Sequence, residues 1–138
     1  MNEDVIGLWR LVSARLEDEE SGAVEDAYGP DPLGYLLLAP GGRMISFLMN
    51  EEPTGNDPAA LFGSMMAYSG RYRIEGDRWS TDVDVAWFPG WLGTQQERTF
   101  SLAGDELHVN GGPIGLPARP GRRLRTILQY RREDTLAR

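Results

Sequence analysis

The sequence predicts an all-β fold, a closed antiparallel barrel of eight or nine strands with one short helix. Two observations lead to this prediction. Short apolar runs alternate with turn-forming clusters, and the chain contains 17 glycines and 9 prolines, which suits many strands joined by turns. The charges are also distributed unevenly, and pairing of the first strand with the last would explain that. A length of 138 residues fits one domain, residues 1–138.

The strands are predicted from apolar residues that alternate with polar ones between turn signals. They cover residues 5–16, 34–39, 43–49, 69–75, 79–88, 95–102, 106–110 and 124–132, with residues 111–121 as a Gly/Pro-rich loop. Strict alternation places Ala14 on the face opposite Trp9, and Val85 on the same face as Trp79. An eight-stranded barrel has an interior just large enough for side chains or one small ligand.

One short helix is predicted over residues 58–66. Asp57 can cap its N-terminus, and Pro58 suits the first helical position. Its apolar side chains are expected to cover one end of the barrel as a lid: Leu61, Met65 and Met66.

The charge distribution favours a closed barrel. Residues 1–34 carry nine acidic residues and two arginines, whereas residues 118–138 carry seven arginines and two acidic residues. If Trp9 lies opposite Arg132, the acidic end of the first strand faces the basic start of the last. Each such cross-strand pair contributes roughly 0.2–1 kcal/mol, so closure accounts for the asymmetry without a charged partner.

Composition excludes several classes of function. The formal net charge of −7 argues against nucleic acid as a partner, because phosphate binding needs a basic surface. No apolar run is long enough to span a membrane, and the acidic N-terminus is not expected to act as a secretory signal. With no cysteine and one histidine, neither a metal site nor a cofactor is expected. We expect a cytoplasmic monomer or homodimer whose partner is a small apolar molecule.

Several segments, in this order and spacing, resemble the bacterial and fungal lipocalin-like domain family: GLWRLVS at 7–13, GYLLL at 34–38, YSGRY at 68–72 and FPGWLGT at 88–94. The resemblance implies a calycin-type barrel around a hydrophobic cavity. It also implies that Trp9 packs beneath Arg132 of the last strand and closes one barrel end. Similar small barrels occur as cofactor-free cyclases of natural-product pathways. Family members often carry histidines where this chain has Thr81 and Asp82, which removes one basis for acid–base chemistry.

Arg98 is the candidate anchor for a ligand. Arg98 lies on the same face of its strand as the apolar residues Phe100 and Leu102, which predicts that its side chain points into the barrel. A buried guanidinium needs a partner. That partner is either a carboxylate, enolate or carbonyl oxygen of a ligand, or a protein carboxylate that would make Arg98 structural.

The candidate catalytic residues are Arg98, Tyr68 and Tyr72. The alternative for each aromatic residue on a presumed inward face is ordinary core packing. The candidate substrate-binding residues are Met66, Trp79, Thr81, Trp87, Trp91 and Phe100. His108, Asp82 and Asp84 are expected to point outward.

The leading hypothesis is a cofactor-free cyclase or isomerase of secondary metabolism, which positions a flexible apolar substrate while Arg98 and a tyrosine polarise a carbonyl. The alternative is a non-catalytic carrier or sensor of an apolar small molecule. A third interpretation is a filled barrel that serves only as an interaction module.

Overall fold

The computed structural model describes residues 3–53 and 55–136. Within these ranges the chain forms nine strands, one α-helix and two single-turn 3-10 helices, Glu3–Val5 and Pro89–Trp91. The strands and the helix are, in chain order, β1 (Gly7–Asp18), β2 (Val24–Asp26), β3 (Leu33–Leu38), β4 (Arg43–Met49), α1 (Pro58–Gly63), β5 (Met65–Glu75), β6 (Arg78–Ala86), β7 (Gln95–Ala103), β8 (Glu106–Leu116) and β9 (Arg119–Asp134).

Eight of the strands close into an antiparallel barrel, as predicted. The order is β1-β3-β4-β5-β6-β7-β8-β9, and β9 pairs with β1 to close the barrel. The short strand β2 is additional and pairs with residues 15–17 of β1. Trp9 lies directly opposite Arg132, in the predicted register. Trp9 is fully buried, and the Arg132 guanidinium carbon lies 4.2 Å from the centroid of its ring. One end of the barrel is therefore closed by a cation–π contact.

The charge prediction is confirmed with a shift of one residue. A β-bulge between Leu11 and Ser13 shifts the β1–β9 register, so that Glu17 faces Arg125. The side chains nevertheless reach one another across the two strands. The ion pairs there are Glu17–Arg125 at 3.9 Å, Asp18–Arg122 at 3.0 Å and Glu19–Arg123 at 3.9 Å.

The orientations that strict alternation predicts for Ala14 and Val85 are wrong, because each residue follows an irregularity in its strand. In β1 the bulge turns Ala14 inward, where it is 2% exposed. In the β5–β6 ladder an irregularity between Ser69 and Gly70 turns Val85 outward, where it is 62% exposed. An extra residue in one strand reverses the alternation beyond it.

Two predicted elements differ from those observed. The helix ends at Gly63, and Met65 and Met66 begin β5 instead, because Met66 pairs with Leu48 and is buried in the barrel. The predicted loop over residues 111–121 is mostly strand, since β8 continues to Leu116 and β9 begins at Arg119. In the described part of the chain, no helix has the length and apolar character needed to cross a membrane.

Candidate functional site

Arg98 points into the barrel, as predicted, and is 4% exposed. On β7 it lies between Trp79 of β6 and Gly111 of β8. Its Nη1 donates a hydrogen bond to the carbonyl oxygen of Glu97 at 2.9 Å, and its guanidinium carbon lies 5.9 Å from the centroid of the Tyr68 ring. No carboxylate in the two described ranges lies within 4.0 Å of its nitrogens. Among those residues the buried cation therefore has no anionic partner.

Gly111 provides the space that Arg98 occupies. A Cβ atom at this position would lie 2.6 Å from Cδ and 2.8 Å from Nε of Arg98, and 2.9 Å from Oγ1 of Thr126. All three distances are shorter than an ordinary van der Waals contact. The absence of a side chain at Gly111 thus leaves the room that Cδ and Nε of Arg98 need.

Gly111→Val is therefore expected to lower the free energy of unfolding by about 1–3 kcal/mol through overpacking. In the background of Arg98→Ala, which removes two of the three close contacts and leaves the one with Oγ1 of Thr126, the same substitution should cost at least about 0.5 kcal/mol less, because residues in contact do not contribute additively. Urea denaturation of the four proteins of this double-mutant cycle measures the difference. Equal costs in both backgrounds would show that Gly111 does not position Arg98.

A small cavity lies beside Arg98 at the centre of the barrel. Its free volume is about 20 Å³, room for about one water molecule. Aliphatic side chains form most of the wall, and a few polar groups converge on it. The polar and aromatic residues that line it are Tyr28, Ser46, Tyr68, Trp79, Arg98, Thr126 and Tyr130.

Two of these polar groups lack a hydrogen-bond partner among the described residues. They are Nε1 of Trp79 and Oγ1 of Thr126, and both are buried. Buried polar groups are normally hydrogen-bonded, since desolvating them without compensation costs free energy. Together with Arg98 they leave three polar side chains available to an oxygen atom in the cavity.

Burial sets the ionisation of two tyrosines in the wall. It raises the pKa of Tyr28 from 10.0 to about 12, against a smaller opposite effect of the Arg119 charge. Burial also raises the pKa of Tyr130, while a hydrogen bond with Ser46 and the charge of Arg98 act in the opposite direction. Both phenols are therefore neutral at physiological pH and can donate a proton in a hydrogen bond without acting as bases.

The structure brings four of the predicted site residues to the cavity wall: Met66, Tyr68, Trp79 and Arg98. Two others support this wall from behind. The Trp91 ring lies 5.1 Å from Tyr68, and the Phe100 ring lies 5.2 Å from Trp79.

Three predicted site residues lie apart from the cavity. The hydroxyl of Tyr72 donates a hydrogen bond to the carbonyl oxygen of Ala39 at 2.7 Å, in the β3–β4 turn. This contact stabilises the turn and keeps the hydroxyl away from the cavity. Thr81 is fully buried between β5 and β7. Trp87 packs 6.0 Å from the Phe62 ring of α1.

Sequence reasoning missed Tyr130, Thr126, Ser46 and Tyr28. The period-2 pattern of β9 could have identified two of them. Thr126 and Tyr130 lie on the same face of the strand as Leu124 and Leu128, and all four residues are buried. Tyr28 lies in the loop between β2 and β3, where no periodic signal exists.

The charged residues predicted to point outward do so. Asp84 forms a bidentate ion pair with Arg43, with oxygen–nitrogen distances of 2.6 and 3.0 Å, and that guanidinium holds the pKa of Asp84 below its usual value. Asp82 pairs with Arg73 at 3.3 Å. His108 is about half exposed. The described residues contain no cluster of three or more His, Cys, Asp or Glu side chains that could hold a metal ion.

No curated protein matches the chain. A solved structure of a lipocalin-like protein from Bacteroides uniformis is 14% identical, with 94% of this chain and 98% of that one covered and a TM-score of 0.49. An uncharacterized protein from Bacteroides eggerthii is also 14% identical, with 94% and 99% covered and a TM-score of 0.47. The model of the lipocalin-like domain family matches residues 6–132, nearly the whole barrel, and the chain therefore belongs to that family.

Proposed function

We propose that the chain is a carrier or sensor that binds a small, mostly apolar molecule inside the barrel, with an oxygen atom of that molecule at Arg98. The observation that carries the proposal is the guanidinium of Arg98, which is buried and has no carboxylate partner among the described residues. Burying an unpaired charge is costly. A carboxylate or carbonyl oxygen of a ligand would supply the missing acceptor.

The composition of the cavity wall supports this proposal. Leucine and valine side chains surround Arg98, Trp79 and Thr126. Apolar walls with a few convergent polar groups are the usual layout of a small-molecule site. The walls would hold the body of the ligand, and the three polar groups would orient its oxygen-bearing end.

The cavity must widen before it can take such a molecule. Its free volume of about 20 Å³ is far below the roughly 300–1,000 Å³ of ordinary ligand sites. Tyr28 and Leu116 line both this cavity and a second gap, of about 10 Å³, beneath α1. Movement of these two side chains would join the two spaces, so we place the ligand's entrance at the end of the barrel that carries α1.

The ionisable groups of the wall favour carriage over catalysis. They are Arg98 and three tyrosines, and the cavity is lined by no carboxylate and no imidazole from the described residues. Neutral phenols and a guanidinium donate hydrogen bonds and cannot take up a proton at neutral pH. A bound molecule would therefore be held without a general base beside it.

A cofactor-free cyclase or isomerase is the second candidate. It is favoured by the position of Arg98 over the Tyr68 ring, at 5.9 Å, with Tyr130 also in the wall. These groups would polarise a carbonyl by donation, and the walls would fold the substrate. NMR spectroscopy of the molecule recovered after incubation separates the candidates, because an isomerised or cyclised product favours the enzyme and an unchanged molecule the carrier.

Arg98→Met is expected to weaken binding of a carboxylate probe by about 10- to 150-fold, which corresponds to about 1.5–3 kcal/mol for a hydrogen bond to a charged group. A dansyl-labelled medium-chain carboxylic acid and its methyl ester are suitable probes, read by fluorescence titration. The loss should be larger for the acid than for the ester. The melting temperature should stay the same or rise, because the substitution removes an uncompensated buried charge.

Arg78→Met is the matched control, since Arg78 lies near Arg98 on the outer wall and pairs with Glu97 at 3.8 Å. Its binding constants should equal those of the wild type. A destabilised Arg98→Met protein with normal affinity would assign Arg98 a structural role. Failure of the wild type to bind either probe would count against the proposed function itself and favour the filled-barrel interpretation.

A further inference from the structure

The outer wall of the barrel carries exposed apolar side chains on β1, β3, β4 and β6. Tyr35 lies directly opposite Phe47, and Ile45 lies opposite Ser69, which in turn faces Val85. Six large apolar side chains of this wall are between 41% and 62% exposed. They define the apolar outer face: Val12, Leu33, Tyr35, Ile45, Phe47 and Val85.

Strand β7 shows that this pattern is not a general feature of the barrel. On β7 the outward residues are Gln95, Glu97, Thr99 and Ser101, the polar set expected for a sheet that faces water. On the apolar outer face the same kind of position holds aromatic and aliphatic side chains. Taking roughly 150–200 Å² per side chain, their exposed fractions amount to roughly 500 Å². The largest apolar patch of a typical monomer measures roughly 300–600 Å² and is often functional.

Charge identifies the kind of partner that this face fits. None of its six side chains is charged, and the arginines beside them already have partners within the chain: Arg43 pairs with Asp84, and Arg10, which lies directly opposite Tyr35, pairs with Glu133. A charged partner would therefore find no unpaired charge on this face with which to form an ion pair. The formal net charge of −7 disfavours an anionic membrane surface. Two copies of the chain, in contrast, can bring their faces together without burying an unpaired charge.

The area also matches a pair of identical chains. A standard interface buries roughly 800 Å² per partner, and homodimer interfaces are about 65% apolar, which requires roughly 500 Å² of apolar surface on each copy. We propose that the apolar outer face joins two copies of this chain as a two-fold homodimer. The interface is isologous, so that each residue of the face contacts the same patch on the second copy.

The oligomeric state tests this proposal. Light scattering of the purified chain is expected to give twice the chain mass of 15.4 kDa. Phe47→Glu and Tyr35→Glu should each give the mass of one chain, because the dimer would bury their carboxylates. Thr99→Glu, among the polar outward residues of β7, is the control and should remain dimeric. Circular dichroism shows whether each variant is folded, and two variants in the face keep the test valid if one of them unfolds.

Cross-linking locates the interface independently. Because the chain contains no cysteine, a single Ile45→Cys substitution provides a unique thiol. A bismaleimide cross-linker, which can bridge two thiols that do not lie at the two-fold axis, should join the Ile45→Cys chains in pairs and leave Thr99→Cys as single chains. A monomeric wild type, or a dimer that persists in both Phe47→Glu and Tyr35→Glu, would overturn the proposal. A monomer that binds neutral phosphatidylcholine vesicles would overturn it in favour of a lipid surface.

Discussion

Trp9→Ala is expected to lower the free energy of unfolding by about 3–5 kcal/mol, the usual cost of deleting a fully buried tryptophan. Trp9 is 0% exposed, and its Nε1 donates to the carbonyl oxygen of Val5 at 2.8 Å. Its ring also supports Arg132, which donates to the backbone oxygens of Ile6 and Asp4 at 3.2 and 2.6 Å. The substitution therefore removes the packing, one buried hydrogen bond and the cation–π contact that close this barrel end.

Conservative variants of two tryptophans separate these contributions. Trp9→Phe keeps an aromatic ring and loses the indole N–H, so it should cost about 1 kcal/mol for the hydrogen bond in addition to the packing change. Trp79→Phe is the matched comparison, because Trp79 is 2% exposed and its Nε1 has no partner among the described residues. Removing an unsatisfied N–H should offset part of the lost packing. Urea denaturation followed by circular dichroism gives both values. A loss below about 1 kcal/mol for Trp9→Ala would contradict the closure role.

The order and number of strands were predictable because a closed barrel imposes period-2 alternation and antiparallel pairing on most of the chain. The charge asymmetry and the Trp9–Arg132 register were predictable for the same reason. The bulges were not. Ser13 and Ala14 are small residues that tolerate either face, so no local pattern marks the extra residue that turns Ala14 inward.

Tertiary contacts decided two elements against their local propensity. Gly111, Gly112 and Pro113 have the composition of a loop, yet β8 continues through them, because Gly111 and Ile114 both pair with β9. Arg122 of β9 also holds this end of the β8–β9 hairpin against β1 and β2, through ion pairs with Asp18 and Glu25 at 3.0 and 3.2 Å. Met65 and Met66 favour helix in isolation, but pairing with β4 and burial of Met66 place both in a strand.

The site was only half predictable. Alternation identified Arg98, Tyr68 and Trp79 as inward, whereas the partners of a residue depend on atoms that are distant in sequence. Neither the lack of a carboxylate beside Arg98 nor the space left by Gly111 can be deduced from β7 alone. Tyr72 was predicted to belong to the site and does not reach the cavity. It is only partly buried, and its hydroxyl donates a hydrogen bond to a backbone carbonyl oxygen in a turn.

The second large expected effect is a steep loss of stability above pH 10. Tyr28 and Tyr130 are buried as neutral phenols, and burial raises the pKa of both. Below pH 10 each phenol is neutral in the folded and unfolded states, so its full contribution to stability is present. As the pH rises above 10, tyrosines of the unfolded chain ionise while these two stay neutral, and folding loses about 1.4 kcal/mol per pH unit for each.

The two tyrosines together should therefore contribute about 2.7 kcal/mol per pH unit between pH 10 and the folded pKa of Tyr28, which is about 12. Urea midpoints measured across this range give the slope. Tyr28→Phe and Tyr130→Phe should each remove about half of it, whatever each substitution does to stability at neutral pH, because the slope reports ionisation alone. If Tyr130→Phe left the slope unchanged, the Tyr130 phenol would ionise as readily in the folded barrel as in the unfolded chain, which would contradict its burial as a neutral group.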